Sequence, residues 1–304
     1  LDNRMKPLIW SIAAIILIFS ILTPLGIITI FALMVPFAVL FVMLSPGVFA
    51  GYAAGICAVV FVLGSLIEPM LLPLMLFFMI PAIVMGYCYK KKKPARTALL
   101  AGFVTILAQL LMQIVLLSLV LEINLSKGLT DMFQSQLQQF EMSGLLNAGW
   151  AEQVAESLAN SFVTMLPSLL LLTALVFAAV SHALSRRMLL GNGIEVPGLP
   201  PAKTWMLPRS LVWYYLVAWI ISLVVPAEGA ETWIVIGANL MYVLQLAFTV
   251  QGVAFFYFLA DVKRWSRAVP AVFAVLAALF HAVLPIFLIG LIDVAFPLRN
   301  RLSK

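Results

Sequence analysis

The chain has 304 residues, of which 64% are hydrophobic and 10% charged, and a formal net charge of +6. Soluble domains carry about 25% charged residues, whereas apolar runs of about 20 residues recur along this chain, so composition excludes an ordinary soluble domain and indicates an integral membrane protein. The cations lie in short loops between apolar runs, where orientation in the bilayer explains them without a nucleic-acid partner.

Arg4 and Lys6 precede an apolar run over 8–22 with the basic flank of a signal peptide but no small-x-small cleavage site. It is read as a first span, and Leu1 suggests that native residues precede it. Thr23-Pro24-Leu25-Gly26 breaks the run, a second span covers 25–44, Ser45-Pro46-Gly47 turns the chain, and a third covers 47–66. A fourth, over 69–89, leads to Lys90-Lys91-Lys92-Lys93-Pro94-Ala95-Arg96, five cations in seven residues. Positive charge in short loops is retained in the cytoplasm, so Lys90, Lys91, Lys92, Lys93 and Arg96 form a basic anchor that places the amino terminus inside.

Within the third span Gly47, Gly51 and Gly55 recur every fourth residue, beside Ala50, Ala54 and Ala58. Such a face admits a second helix closely, either within the chain, the leading reading, or from a partner subunit. Cys57 and Cys88 lie in apolar runs without a CxxC pair, so no disulfide framework or zinc site is expected. The fifth span, over 97–121, carries Thr105, Gln109 and Gln113 on one stripe. Amides at membrane depth either bond neighbouring helices, the simpler reading, or line a solute cavity together with a carboxylate such as Glu68 at the preceding outer turn.

Residues 122–160 form the long polar segment, acidic and external by the count of crossings. Leu125, Leu129, Met132, Phe133, Leu137 and Phe140, then Trp150, Val154, Leu158 and Phe162, fall at helical spacing, so two amphipathic helices are expected before a sixth span over 162–184. They would lie over a binding site, on the bilayer surface or across the bundle end. Ser185-Arg186-Arg187 returns the chain to the cytoplasm, and Pro197, Pro200, Pro201 and Pro208 exclude a continuous helix up to Arg209. His182, one turn before Arg186, is expected to be packed rather than to act as a ligand.

The seventh span, over 210–225, opens on Trp213-Tyr214-Tyr215, aromatic residues suited to the headgroup level. The eighth, over 233–260, contains Asn239, Gln245 and Gln251, whose six-residue steps turn them to different faces, as befits helix-joining groups. The last apolar stretch, 268–296, is read as a ninth span, although Pro285 offers a break that would return the tail inside. Asp293 is expected to pair with Arg299; an acid–base pair with His281 would need that break, because twelve helical residues span about 18 Å. The proposed inner segments hold fourteen of the eighteen Lys and Arg residues, which agrees with this topology. No GxxxxGK[ST], HExxH or Cys/His ligand spacing is present, so no enzyme, cofactor or metal is expected.

Taken together, Gly86-Tyr-Cys-Tyr-Lys-Lys-Lys-Lys93, Leu166-Pro-Ser-Leu-Leu170, Trp205-Met-Leu-Pro-Arg-Ser-Leu-Val-Trp-Tyr-Tyr215, Gln251-Gly252 and Gly290-Leu-Ile-Asp-Val-Ala-Phe-Pro-Leu-Arg299 resemble the YybS-type family of bacterial membrane proteins. That family distantly resembles the S components of energy-coupling factor transporters. The resemblance implies an all-α polytopic bundle of about nine spans in a bacterial inner membrane. A six-helix core would occupy 7–189 with the insertion 122–160, followed by a cytoplasmic Pro-rich loop over 190–209 and further spans over 210–304. It also implies capture of a small solute from outside, with uptake dependent on a membrane coupling subunit and ATPases; by the reading of the residues themselves, the cavity would lie beneath 122–160 with Glu68, Gln109 and Gln113 lining it. The competing expectation is a non-transport scaffold acting through Gly47, Gly51 and Gly55 or the loop 186–209.

Overall fold

The computed structural model describes residues 5–120, 122, 124–142, 149–224, 231–266, 268–279, 285–296 and 298–302, and among them it is all-α with no strand. Backbone that enters hydrocarbon must satisfy its own N–H and C=O groups, which a helix does within a single segment. The first helices are α1 (Met5–Ser20), α2 (Gly26–Thr29), which continues through a 3-10 turn into α3 (Met34–Met43), α4 (Pro46–Ile67), α5 (Leu71–Lys90) and α6 (Ala95–Val115), extended by a π-helical turn. They are followed by α7 (Leu125–Met142), α8 (Trp150–Gly191), α9 (Ser210–Val224), α10 (Glu231–Val262), α11 (Ala268–Leu279), α12 (Ile286–Ala295) and α13 (Leu298–Leu302). Among the described residues six stretches are long and apolar enough to cross a membrane: Gly26–Met43, Pro46–Ile67, Leu71–Lys90, Ala95–Leu119, Trp150–Gly191 and Thr232–Val262. Four shorter apolar helices accompany them among the described residues.

Two boundaries differ from expectation. The second amphipathic helix and the sixth span are one helix, α8, of 42 residues. Its packed face is not the series Trp150, Val154, Leu158 and Phe162 but Ala151, Ala155 and Ala159, all at or below 1% exposure. A stripe of alanine has the highest helix propensity, so nothing in the local sequence ends the helix before the apolar run begins. Among the described residues of the last apolar stretch are two helices, α11 of 12 residues and α12 of 10, with Pro285 in the N-cap position of α12. At 1.5 Å per residue they reach about 18 and 15 Å, each short of an apolar slab of about 30 Å.

The chain divides into two compact units, Leu1–Glu122 with Leu170–Leu199, and Ile123–Leu169 with Pro200–Lys304. Residues 123–169 group with the carboxy-terminal helices, and α8 contributes to both units. In the first unit α3 is central: Met34, Val35, Phe37, Ala38, Val39 and Leu40 are all buried, so it has no lipid-facing side over that stretch. Phe177 of α8 stacks on Phe31 at 4.9 Å and meets Phe78 at 5.0 Å, while Ser181 Oγ donates to Met34 Sδ at 3.1 Å. His182 is buried, with Nδ1 3.0 Å from Tyr89 Oη, a packed histidine as expected.

The second unit is built on α10. Gly252 and Gly290 bring α10 and α12 into backbone contact: a Cβ placed on Gly290 would lie 1.8 Å from Phe248 O and 2.7 Å from Gly252 N. Tyr215 of α9 closes the core, with its ring 5.8 Å from Phe248 and 6.0 Å from Phe287.

Three turns at helix ends share one construction. At Lys92, Gly193 and Arg264 the backbone is left-handed, with φ of 49°, 79° and 56°. The following N–H then reaches back over the last helical turn, as in Lys93 N to Cys88 O at 3.0 Å, Ile194 N to Leu189 O at 2.9 Å and Trp265 N to Ala260 O at 2.8 Å. These paired bonds satisfy carbonyls that a helix end otherwise leaves open.

Candidate functional site

The three residues expected to line a solute cavity have separate surroundings. Gln109 Nε2 donates to Phe77 O at 3.1 Å and so joins α6 to α5, while its Oε1 is buried without a partner. Gln113, one turn on, is exposed. Glu68 ends α4, and its Oε1 accepts from Met70 N at 3.3 Å. None of the three lines any of the cavities described below. Because Gln109 makes one bond and buries one open acceptor, Gln109→Leu is expected to change stability by less than about 1 kcal/mol in thermal unfolding of the detergent-solubilised chain. A larger loss would show that the amide has a second partner.

Gly47, Gly51 and Gly55 are exposed, as are Ala50, Ala54 and Ala58, and a Cβ on any of the three glycines would meet nothing within 4 Å. Among the described residues nothing packs against this stripe. The buried face of α4 is instead Phe49, Ala53, Ile56, Val60 and Gly64. Both small-residue ridges, Gly47-Gly51-Gly55 and Ala50-Ala54-Ala58, thus lie away from the face that α4 turns inward.

A polar cleft of about 650 Å³ opens between the first half of α8 and α10. Gln153, Glu156, Ser157, Asn160, Ser161 and Thr164 line it from α8, and Ala238 faces them from α10. The α8 residues recur at steps of three and four, which places them on one helix face. The level of this face follows from helix length. Twenty residues before Arg186 is Leu166, so an apolar slab of about 30 Å that starts at Arg186 ends where the polar stripe begins. The cleft thus lies before the twenty residues of α8 that lead to Arg186.

Its floor is held by Asn239. Pro167 cannot donate to the helix ladder, and one residue on, the amide of Asn239 enters it: Oδ1 accepts from Ser168 N at 2.9 Å and Nδ2 donates to Thr164 O at 2.7 Å. Ser168 N and Thr164 O are the pair that would bond each other in an uninterrupted helix. Ser168 Oγ also donates to Asn239 Oδ1. The amides of α10 do face different neighbours: Asn239 binds α8, and Gln245 Nε2 lies 3.5 Å from Tyr215 Oη of α9.

Gln251, the third amide, belongs to a buried network at the other end of α10. Asp293 is fully buried, and its carboxylate accepts from Arg299 Nη2 at 2.7 Å, Arg299 Nε at 3.1 Å and Gln251 Nε2 at 2.6 Å. Arg299 Nη1 donates to Lys203 O at 2.7 Å, and its guanidinium lies 5.2 Å from the centre of the Phe258 ring. Gln251 Oε1 accepts from Leu207 N at 3.1 Å. The expected pairing of Asp293 with Arg299 is present; His281 lies outside the described residues. One carboxylate thereby ties the Pro-rich loop, α10 and the end of α12. Sequence reasoning singled out these segments separately as Trp205–Tyr215, Gln251-Gly252 and Gly290–Arg299, and the contact among them is what makes them one feature.

The pattern of a family described as predicted membrane protein (DUF2232) matches residues 11–294. The chain belongs to this family. The DUF2232 match runs from α1 to α12, so it takes in both units and ends one residue beyond Asp293. This DUF2232 chain is also 26% identical over 307 residues to the Bacillus subtilis (strain 168) protein titled Uncharacterized protein YybS, and the alignment covers 96% of each. The YybS-type resemblance is thus shown over nearly the full length. No solved structure matches the chain.

Proposed function

We propose that this multi-pass membrane protein binds a small polar solute in the cleft of α8 and α10, as an uptake component in the manner of an energy-coupling factor S component. The observation that carries the proposal is the cleft itself: about 650 Å³, within the range of small-molecule sites, with six hydrogen-bonding side chains on one helix face. Among the described residues Glu156 is the only charged one lining it, and it makes no ion pair there. Such a lining favours a neutral or cationic solute with several hydroxyl, amide or amine groups. The chain has no phosphate-binding loop of its own, so energised uptake would rest on a partner coupling subunit and ATPases. Solute binding rather than catalysis is the role assigned.

Native mass spectrometry of the chain purified in mild detergent tests this directly. A retained polar metabolite is expected in the wild type, and Ala238→Trp, which fills the cleft from the α10 side, is expected to lower its occupancy at least tenfold. Absence of any retained small molecule, together with no thermal shift for a panel of amino acids, polyamines and nucleosides, would sink the proposal. A second reading has its own observation, the unpacked stripe of Gly47, Gly51 and Gly55, which suits a transmembrane helix of another subunit. Under that reading the same spectra would show a retained polypeptide in place of a metabolite.

A further inference from the structure

We propose that a pocket in the first unit, formed by the turn after α5 and the loop after α8, binds the phosphodiester of an anionic phospholipid headgroup. The proposal is independent of the solute cleft. The pocket encloses about 370 Å³ and is lined by Lys92, Arg186, Leu190, Glu195, Val196 and Gly198, among others.

The lysine run that borders it is not a uniform patch. Lys90 Nζ donates to Leu44 O and lies 4.6 Å from the centre of the Phe41 ring, and Lys91 lies 5.9 Å from that of Tyr87. Lys92 has no such partner among the described residues. It occupies the left-handed position of the turn, where glycine is the usual residue, so a cation stands where conformation alone would favour none.

Arg186 comes to the same pocket already oriented. Its Nε donates to Val196 O at 3.0 Å, and the chain at Gly198 lies so close that a Cβ there would be 2.9 Å from Arg186 Cζ. That contact fixes the plane of the guanidinium, the arrangement that recognises phosphate by two parallel N–H bonds. Although Glu195 lines the same pocket, no carboxylate lies within 4 Å of Lys92 or Arg186 among the described residues. Two cations and one acid leave the pocket a formal charge of +1, which a phosphodiester monoanion complements. The position favours a lipid over free phosphate. The pocket lies at the ends of α5 and α8, where spans leave the apolar slab, and Leu190 and Val196 give it an apolar wall suited to the glycerol end of a lipid.

The test is native mass spectrometry of the full chain equilibrated with mixed micelles of phosphatidylglycerol and phosphatidylcholine. The wild type is expected to retain phosphatidylglycerol in preference, and Lys92→Gln to lower that retention roughly fivefold, the scale of one cation beside an anionic headgroup. Gly198→Ala, which displaces the guanidinium while keeping every charge, is expected to lower it by a similar factor. The double variant Lys91→Gln/Lys93→Gln removes more charge outside the pocket and is expected to stay within twofold of wild type. Equal loss in that double variant and in Lys92→Gln would mean diffuse leaflet attraction and overturn the site. Displacement of the bound lipid by millimolar inorganic phosphate or glycerol 3-phosphate would overturn the assignment to lipid.

Discussion

Asp293→Ala is expected to destabilise the chain by about 3–5 kcal/mol, the cost of breaking a buried ion pair from one side. The substitution leaves the Arg299 side chain, 13% exposed, without its counter-charge and removes the acceptor of Gln251 Nε2. It also frees the guanidinium that holds Lys203 O, so the Pro-rich loop loses an anchor along with α12. Urea or thermal unfolding of the solubilised chain, followed by tryptophan fluorescence, reads the loss; Trp205 adjoins Leu207, which bonds Gln251, and so reports on the network. Pairing the change with Arg299→Met completes a double-mutant cycle. The double variant is expected to recover most of the loss, because an apolar pair of similar volume replaces a buried ion pair at little net cost. A single variant within about 1 kcal/mol of wild type would show that the network contributes little to holding the loop and α12.

Gly290→Val is the second large effect expected, about 3 kcal/mol, at the top of the range for overpacking. The obstacle is backbone: Phe248 O at 1.8 Å and Gly252 N at 2.7 Å from the first added carbon cannot swing aside as a side chain would. The helices must part, and parting them draws Asp293 away from Gln251. The informative control is Gly51→Val, which meets nothing within 4 Å and is expected to leave the isolated chain unchanged in the same unfolding measurement. Similar losses at both glycines would mean that the cost does not lie in the crossing, since valine is the better helix former of the two residues.

The contrast between Gly51 and Gly290 marks what a sequence conveys about a membrane bundle. Apolar runs bounded by Pro, Gly and basic clusters announce helices, because each helix closes its own hydrogen bonds and its ends obey local rules. The ends of α3 at Met43 and α5 at Lys90, and the amphipathic α7, are therefore visible without a partner helix. Which small residues pack is not visible. Gly47, Gly51 and Gly55 had the more regular spacing, yet Gly252 and Gly290, on two helices distant in sequence, make the close crossing. A helix face acquires a role only when another helix is brought to it.

The candidate sites divide in the same way. Asp293 and Arg299 are six residues apart, so their pairing was readable, and the charge rule marked the basic run as a feature of one membrane side. The contribution of Gln251, the bridging of Ser168 and Thr164 by Asn239, and the convergence of Lys92 with Arg186 all join residues separated by more than forty positions. The polar stripe from Gln153 to Thr164 was hidden for a different reason. It was divided between an expected surface helix and an expected span, and it became one face only because α8 is continuous.

From the sequence alone came the membrane class and the helical content, since composition and period act locally or through the bilayer, which is present for every segment alike. Only the tertiary structure decided that α8 runs unbroken through 42 residues, that the described residues of the last apolar stretch hold two short helices, and that the motif segments meet at one buried carboxylate. Those outcomes depend on which polar groups and small residues find each other in a medium that supplies no alternative partner, and that choice is made between segments rather than within them.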